Sequence, residues 1–341
     1  MATISTGSPT NPLLAWKTVM GTCNAPAGAN DLVTRWLVLT RACVQPMTLT
    51  AAAIAGLLAV RAAGFNGLYF GLAALGVVLA HAANNLINDV FDESLGNDTA
   101  DYPRALYAPH PVLSGLATRR TMVIAFLVLN VLDLMILIVL TVARGWPVVA
   151  FAVLGLVGSV GYAAPILRFK KPGLGEPVVF LVWGPLMVGG TYFAATGHLP
   201  WQALAATIPY SLLCTTVLFG KHIDKAPWDS PKGINTLPVI LGDDRARKAT
   251  LAMMIAFYVA LLALIPFGAL PWTAVFALLA LPRLRQAWPH MRSPKPDKAP
   301  PNFPVWPLWY AAVTFVHTRR AGALLVLGLL AGAILGYAPP P

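Results

Sequence analysis

Residues 67–98 read GLYFGLAALGVVLAHAANNLINDVFDESLGND. Residues 67–88 form an apolar run long enough to cross a bilayer, which takes about 20 residues. Where that run ends, acids begin: Asp89, Asp92, Glu93, Asp98 and Asp101 are five of only 13 in the chain. If the helix persists one turn past the apolar run, Asp89 and Asp92 at i, i+3 share a face, with Asn85 and Asn88 alongside. Carboxylate and amide oxygens converging without His or Cys suit a hard cation such as Mg²⁺, which keeps waters and bridges to phosphate.

The rest of the chain agrees with the membrane reading. Of 341 residues, 57% are apolar and 11% charged, against about 45–50% and 25% in soluble domains. Soluble, disordered and disulfide-scaffold classes are therefore excluded. Apolar runs bounded by Pro, Gly or charge predict nine spans, near 46–62, 67–88, 121–141, 146–163, 176–196, 202–220, 250–268, 271–287 and 321–338. The expected fold is all-α: a polytopic membrane protein with about nine transmembrane helices in a bundle and Asp-rich cytoplasmic loops that act as lids. Residues 303–317 are short for a span and carry Trp306, Trp309 and Tyr310, so they read as an interfacial segment. Residues 1–40 read as an N-terminal segment without signal-peptide or transit-peptide character, and 41–341 as one transmembrane domain. Cys23, Cys43 and Cys214 lack CxxC spacing and imply no disulfide framework or zinc site.

The net charge is +11, from 24 Lys+Arg against 13 Asp+Glu. On nine spans, 22 of the 24 basic residues fall on one side, and only Arg61 and Arg144 fall on the other. The positive-inside rule makes that rich side cytoplasmic, together with the N-terminus and the acidic loops, in the cell (inner) membrane. Orientation accounts for most of the charge, and nucleic acid is not an expected partner.

Topology needs no acids, yet a second cluster, Asp224 and Asp229 in GKHIDKAPWDSPKGINTLP, follows the sixth span on the same side. Either cluster alone also reads as ordinary solvated helix ends. Two, each backed by an apolar helix and interleaved with Lys or Arg, describe a site for a magnesium-complexed diphosphate.

At these residues the chain resembles the UbiA superfamily of intramembrane prenyltransferases. Asn88, Asp89, Asp92 and Asp98 match its first motif, and the Gly96–Asp98 spacing is most similar to the 1,4-dihydroxy-2-naphthoate branch of menaquinone synthesis. Residues 173–197, GLGEPVVFLVWGPLMVGGTYFAATG, resemble that branch's fifth-helix signature. Asp224, Asp229, Gly233, Thr236 and Leu237 resemble the second acidic motif. There the chain departs from the family: five residues rather than four separate the acids, Pro227 lies between them, and Lys221-His222 stand where Asn is usual. On a helix the extra residue turns Asp229 by about 100° from the usual face; a Pro-induced bulge offers one way to restore convergence.

The resemblance implies transfer of a polyprenyl group from its allylic diphosphate to an aromatic acceptor within the lipid bilayer. It implies Mg²⁺ on Asp89, Asp92, Asp98, Asp224 and Asp229, with Asp89, Asp92, Asp224 and Tyr162 as catalytic residues. Asn85, Asn88, Arg41, Arg104, Lys171, Lys225 and Lys232 are the implied substrate-binding set. Tyr162 matches a family tyrosine near the allylic carbon, where an aromatic face supports a developing cation, and it also reads as an interfacial belt residue. Asp133 is the one acid deep in a predicted span and has no assigned role; His81 and His222 read as structural. A CDP-alcohol phosphotransferase is disfavoured because Glu93, not Gly, follows Asp92. A transporter places its polar groups at the midplane rather than at one surface. A non-catalytic homologue stays open because of the altered second motif.

Overall fold

The computed structural model describes residues 11–26, 29 and 31–340, and all regular secondary structure among them is helical. Of the N-terminal segment read at 1–40, residues 1–10, 27, 28 and 30 lie outside the described residues. Helices α1 (Pro12–Thr22) and α2 (Leu32–Leu39) precede α3 (Gln45–Ala59) and α4 (Gly67–Ser94). Short α5 (Pro103–Tyr107) follows the acidic loop, then α6 (Arg119–Arg144), α7 (Pro147–Gly161) and α8 (Gly175–Leu181). Helix α8 continues through a wider π turn, Val182–Gly189, which carries Pro185, into α9 (Gly190–Thr196). Short α10 (Trp201–Ala205) leads to α11 (Ile208–Asp229), α12 (Leu237–Leu241) and α13 (Asp243–Leu264). A 3₁₀ stretch, Trp272–Ala280, runs into α14 (Leu281–Arg292), and α15 (Trp309–Ile334) comes last.

Seven of these helical stretches are long and apolar enough to cross a membrane, so the chain is a polytopic all-α membrane protein. The two expected spans that fall short have physical reasons. Helix α7 has 15 residues, about 22 Å at the helical rise, against a hydrocarbon core of about 30 Å. Residues 272–292 are divided between a 3₁₀ stretch and a helix that bears Arg283, Arg285 and Arg292. The expected interfacial segment 303–317 is also revised. No proline follows Pro307 until Pro339, past the end of the helix at Ile334, so Trp309–His317 form the first turns of α15.

Helix α11 is the central post of the bundle, buried along most of its length against α13 and α15. Helix α6 is the opposite case: among its 26 residues only Met122 and Leu140 are buried, and its apolar side chains face the lipid. Glycines let α15 approach closely. A Cβ at Gly328 would lie 2.5 Å from the Thr273 carbonyl oxygen and 3.0 Å from the Ala274 Cα, both backbone, so no side-chain rotation relieves it. Gly328→Ala is expected to destabilise the bundle by about 1–3 kcal/mol through overpacking, read as a lowered thermal midpoint in detergent.

The two basic residues at the far end of the bundle are helix caps. Arg144 donates to the Gly64, Ala194 and Ala195 carbonyls, and Arg61 to that of Ala333, where a cation also complements the helix dipole. At the near end Cys23 and Cys43 are paired as a disulfide, with Cα atoms 5.1 Å apart. The expectation of no disulfide framework is thus corrected by one link between the end of α1 and the approach to α3.

Candidate active site

The first acidic cluster is built by the end of α4. Its apolar face buries Leu86, Ile87 and Val90, which turns Asn85 and Asp89 inward. The helix stops at Leu95, and Gly96 takes the left-handed conformation (φ 69°) that lets the chain reverse. The Asp92 carbonyl then accepts the Asn97 and Asp98 amides at 2.8 and 3.0 Å, and Asp98 returns beside Asp89.

Asp89 is fully buried. Arg104 grips it with both nitrogens, Nε to Oδ1 and Nη2 to Oδ2 at 3.1 Å each, and Arg41 pairs with Oδ1. Both oxygens are therefore engaged by guanidinium groups, which differs from the bare metal ligand expected from the motif. His110 Nε2 lies 3.4 Å from Asp98 Oδ2 and 4.0 Å from Asp89 Oδ1. Asp89, Asp98 and His110 thus form an acidic and histidine cluster whose ligand atoms lie within 4.8 Å of one another. Burial opposes ionisation of Asp98, but the His110 hydrogen bond and the charges of Lys225 and Lys170 outweigh it and hold its carboxyl at about 2.

Asp92, one turn beyond Asp89, accepts from Asn97 Nδ2 at 3.0 Å and lies 3.5 Å from Lys170 Nζ. Lys170 is buried, whereas its neighbour Lys171, the expected ligand, is exposed. Burial lowers the Lys170 pKa, but Asp92, Asp229 and Asp98 more than compensate and keep it raised and charged. Lys225 Nζ sits 4.4 Å from the centre of the Tyr102 ring, and Lys232 Nζ 5.0 Å from it. Lys232 also donates to the Gly96 carbonyl at 3.1 Å, tying the two acidic loops together. Asn85 donates to the Thr40 carbonyl at 3.0 Å, so its amide positions the approach to Arg41.

The second cluster does not converge. Asp229 turns toward the first cluster and accepts the Tyr102 hydroxyl at 2.6 Å. Asp224 points the other way and accepts the Tyr310 and Ala311 amides at 3.2 and 2.8 Å, with Lys295 Nζ 3.6 Å away. These amides are orphan donors in the first turn of α15, so Asp224 is occupied as a helix cap from a distance and is not brought to the other acids. The five-residue spacing is the cause: Pro227 lies inside α11 without undoing the rotation.

Buried side-chain oxygens without a hydrogen-bond partner include Asp98 Oδ1, Asn88 Oδ1 and Asp229 Oδ2. Unpaired buried acceptors are costly, and carboxylate and amide oxygens are the ligand type a hard cation takes. Below Asn88 a cavity of about 490 Å³ opens between α4, α6, α7 and the π turn, beginning at Asn84 and His81 and reaching Asp133. Its remaining lining is largely apolar, including Phe126, Phe151, Trp183 and Leu186.

Tyr162, just past α7, meets a partner that sequence reading did not supply. Its hydroxyl is 2.7 Å from His222 Nε2, and His222 Nδ1 is 2.6 Å from Glu176 Oε1. His110, Lys170, Tyr102 and Glu176 were likewise not singled out. Lys170 was separable from Lys171 only by the turn that buries one and exposes the other. Glu176 stood inside the quoted GLGE stretch as an acid at a predicted helix start.

These features define a polytopic membrane protein with a buried acid–guanidinium–ammonium site at one end and an apolar cavity beneath it. Residues 49–311 match the UbiA prenyltransferase family, and the chain belongs to that family; it is a prenyltransferase. It is 28% identical over 224 residues to the 1,4-dihydroxy-2-naphthoate octaprenyltransferase of Haemophilus influenzae, covering 65% of this chain and 73% of the relative. To the 2-carboxy-1,4-naphthoquinone phytyltransferase of Synechocystis it is 24% identical over 247 residues, 70% of this chain and 75% of the relative. The fold matches a UbiA homolog from Aeropyrum pernix with TM-score 0.63 at 18% identity, covering 85% of this chain and 98% of that one. A UbiA homolog from Archaeoglobus fulgidus bound to GPP and Mg²⁺ matches with TM-score 0.53 at 14% identity, over 85% and 99%.

Proposed function

We propose that the chain transfers a polyprenyl group from its allylic diphosphate to a naphthoquinol-type aromatic acceptor, with Mg²⁺ as cofactor. The observation that carries this reading is the joining of two unlike environments. A buried cluster of acids and fixed cations at the end of α4 follows, about one turn along that helix, the Asn84 end of a largely apolar cavity, an order that suits a ligand with a diphosphate head and a hydrocarbon tail. Lys170, Lys225, Arg41 and Arg104 bind the head, and the cavity below Asn88 takes the tail and excludes water from the reacting carbon. Asp92, Asp98 and Asp229, with Asn88, would hold the metal, and Mg²⁺ bound there would neutralise the charge that builds on the leaving diphosphate. Asp89 fixes Arg41 and Arg104 in place. In the reaction the allylic C–O bond breaks with its electron pair leaving on diphosphate, a bond forms to the acceptor ring, and the ring gives up a proton.

The acceptor class is supported by the names of the relatives and by the GLGE stretch at 173–176. The membrane orientation, with the N-terminus and acidic loops in the cytoplasm, is supported by the 22 basic residues on that side.

The test is turnover by purified protein in lipid with geranylgeranyl diphosphate and a panel of aromatic acceptors. Prenylation of a naphthoquinol and its loss on chelation of divalent metal, restored by added Mg²⁺, are the expected results. Transfer to other rings alone removes the acceptor assignment, and full activity in excess chelator removes the metal.

A further inference from the structure

Glu176, His222 and Tyr162 come from three separate stretches: the first turn of α8, the middle of α11 and the exit of α7. Glu176 and His222 are each 1% exposed. Glu176 Oε2 has no hydrogen-bond partner, so the side chain makes no capping bond to its own helix and its one polar contact is with His222. Its Oε1 lies 2.6 Å from His222 Nδ1; with Glu176 ionised the carboxylate only accepts, which assigns the imidazole hydrogen to Nδ1. His222 Nε2 is then a lone pair, and the Tyr162 hydroxyl must donate to it. The ring is held as well as the hydroxyl: Tyr162 lies within 17° of parallel to His222, and a Cβ on Gly175 would come 2.9 Å from Tyr162 Cε2. The same turn carries Lys170, whose amide donates to the Tyr162 carbonyl and whose ammonium reaches Asp92.

We propose that Glu176 and His222 are positioning residues that act through Tyr162, drawing its hydroxyl hydrogen away from the reacting allylic carbon. This rests on the prenyl-transfer reading above and on the resemblance that sets Tyr162 beside the allylic carbon, and it deepens that reading. A phenol free to rotate can aim its positive hydrogen at a developing cation. A phenol locked as a donor to His222 presents its oxygen lone pairs and an electron-enriched ring instead. The advantage exists only when the allylic carbon carries positive charge, so it acts on kcat and not on donor binding.

The experiment measures diphosphate release by the full chain in lipid with geranylgeranyl diphosphate, Mg²⁺ and acceptor. Glu176→Gln, whose amide NH2 can turn to His222 Nδ1 and shift the imidazole hydrogen to Nε2, is expected to lower kcat roughly tenfold, about 1.4 kcal/mol of barrier, with donor KM changed less than about twofold. In a Tyr162→Phe background the same substitution is expected to change kcat by less than about twofold, because the hydroxyl it acts through is gone. A donor fluorinated at the allylic group, which disfavours the cation, is expected to be slowed more in Glu176→Gln than in the wild type. His222→Gln, whose Oε1 can accept the Tyr162 hydroxyl, is expected to retain most of kcat, whereas His222→Leu falls with Glu176→Gln. This pair keeps the test decisive if Glu176→Gln fails to fold. Equal kcat for His222→Gln and His222→Leu, or an undiminished Glu176→Gln effect in Tyr162→Phe, overturns the positioning role while leaving the function standing. Wild-type protein that releases no diphosphate with any acceptor overturns the functional reading and the inference with it.

Discussion

Asp89→Ala is expected to lose both turnover and stability, a combination that separates its place in the structure from that of a simple metal ligand. The carboxylate is fully buried and neutralises two guanidinium groups, Arg104 through a two-pronged contact and Arg41 beside it. Removing one partner of a buried ion pair leaves an uncompensated charge and typically costs about 3–5 kcal/mol. Here two cations would be left facing each other in a site that also holds Lys170 and Lys225. Diphosphate release is expected to fall by about 100-fold or more as the head-group cations lose their fixed positions. Asp89→Asn preserves shape and one acceptor oxygen and should lie between wild type and Asp89→Ala in thermal midpoint. An Asp89→Ala protein that melts with the wild type would show that the two arginines have another counter-charge and that the anchor role is wrong.

The positions of the acids in the sequence carried much of this site, because the apolar run ending at Asn88 marks where α4 turns polar before it ends at Ser94, without any knowledge of its neighbours. Asp98 also follows locally, since Gly96 permits the reversal that returns it to Asp89. Contacts set by distant chain segments were not legible. Asp229 meets Tyr102, 127 positions away, and Asp224 meets amides of Tyr310 and Ala311, 86 and 87 positions away. The five-residue spacing showed that the two acids diverge on a regular helix, but not which one turns to the site. His222 read as structural because its partners, Glu176 and Tyr162, lie on other helices. Apolar length and helix length part company at two of the nine expected spans: α7 is ended early by the turn after Gly161, and the 272–292 segment is divided by a change of helix type.

The sharpest separation is expected between Asp98→Asn and Asp224→Asn, two substitutions that the family motif treats alike. Asp98 is buried, carries an oxygen without a partner, and stands within ligand distance of Asp89 and His110. Neutralising it removes a charge from the cation site, so turnover is expected to fall about 100-fold or more and the Mg²⁺ concentration for half-maximal rate to rise. Asp224 spends its oxygens on the first turn of α15 and its charge on Lys295. Asp224→Asn weakens that cap and is expected to lower stability by about 1 kcal/mol, while turnover stays within about threefold and the Mg²⁺ dependence does not move. Diphosphate release titrated against Mg²⁺, alongside a thermal midpoint for each variant, distinguishes the two. A shifted Mg²⁺ requirement in Asp224→Asn with an unchanged midpoint would return Asp224 to the metal set. That result would require α11 to rotate when the diphosphate binds, because in the present arrangement the N-terminus of α15 already holds both oxygens of Asp224.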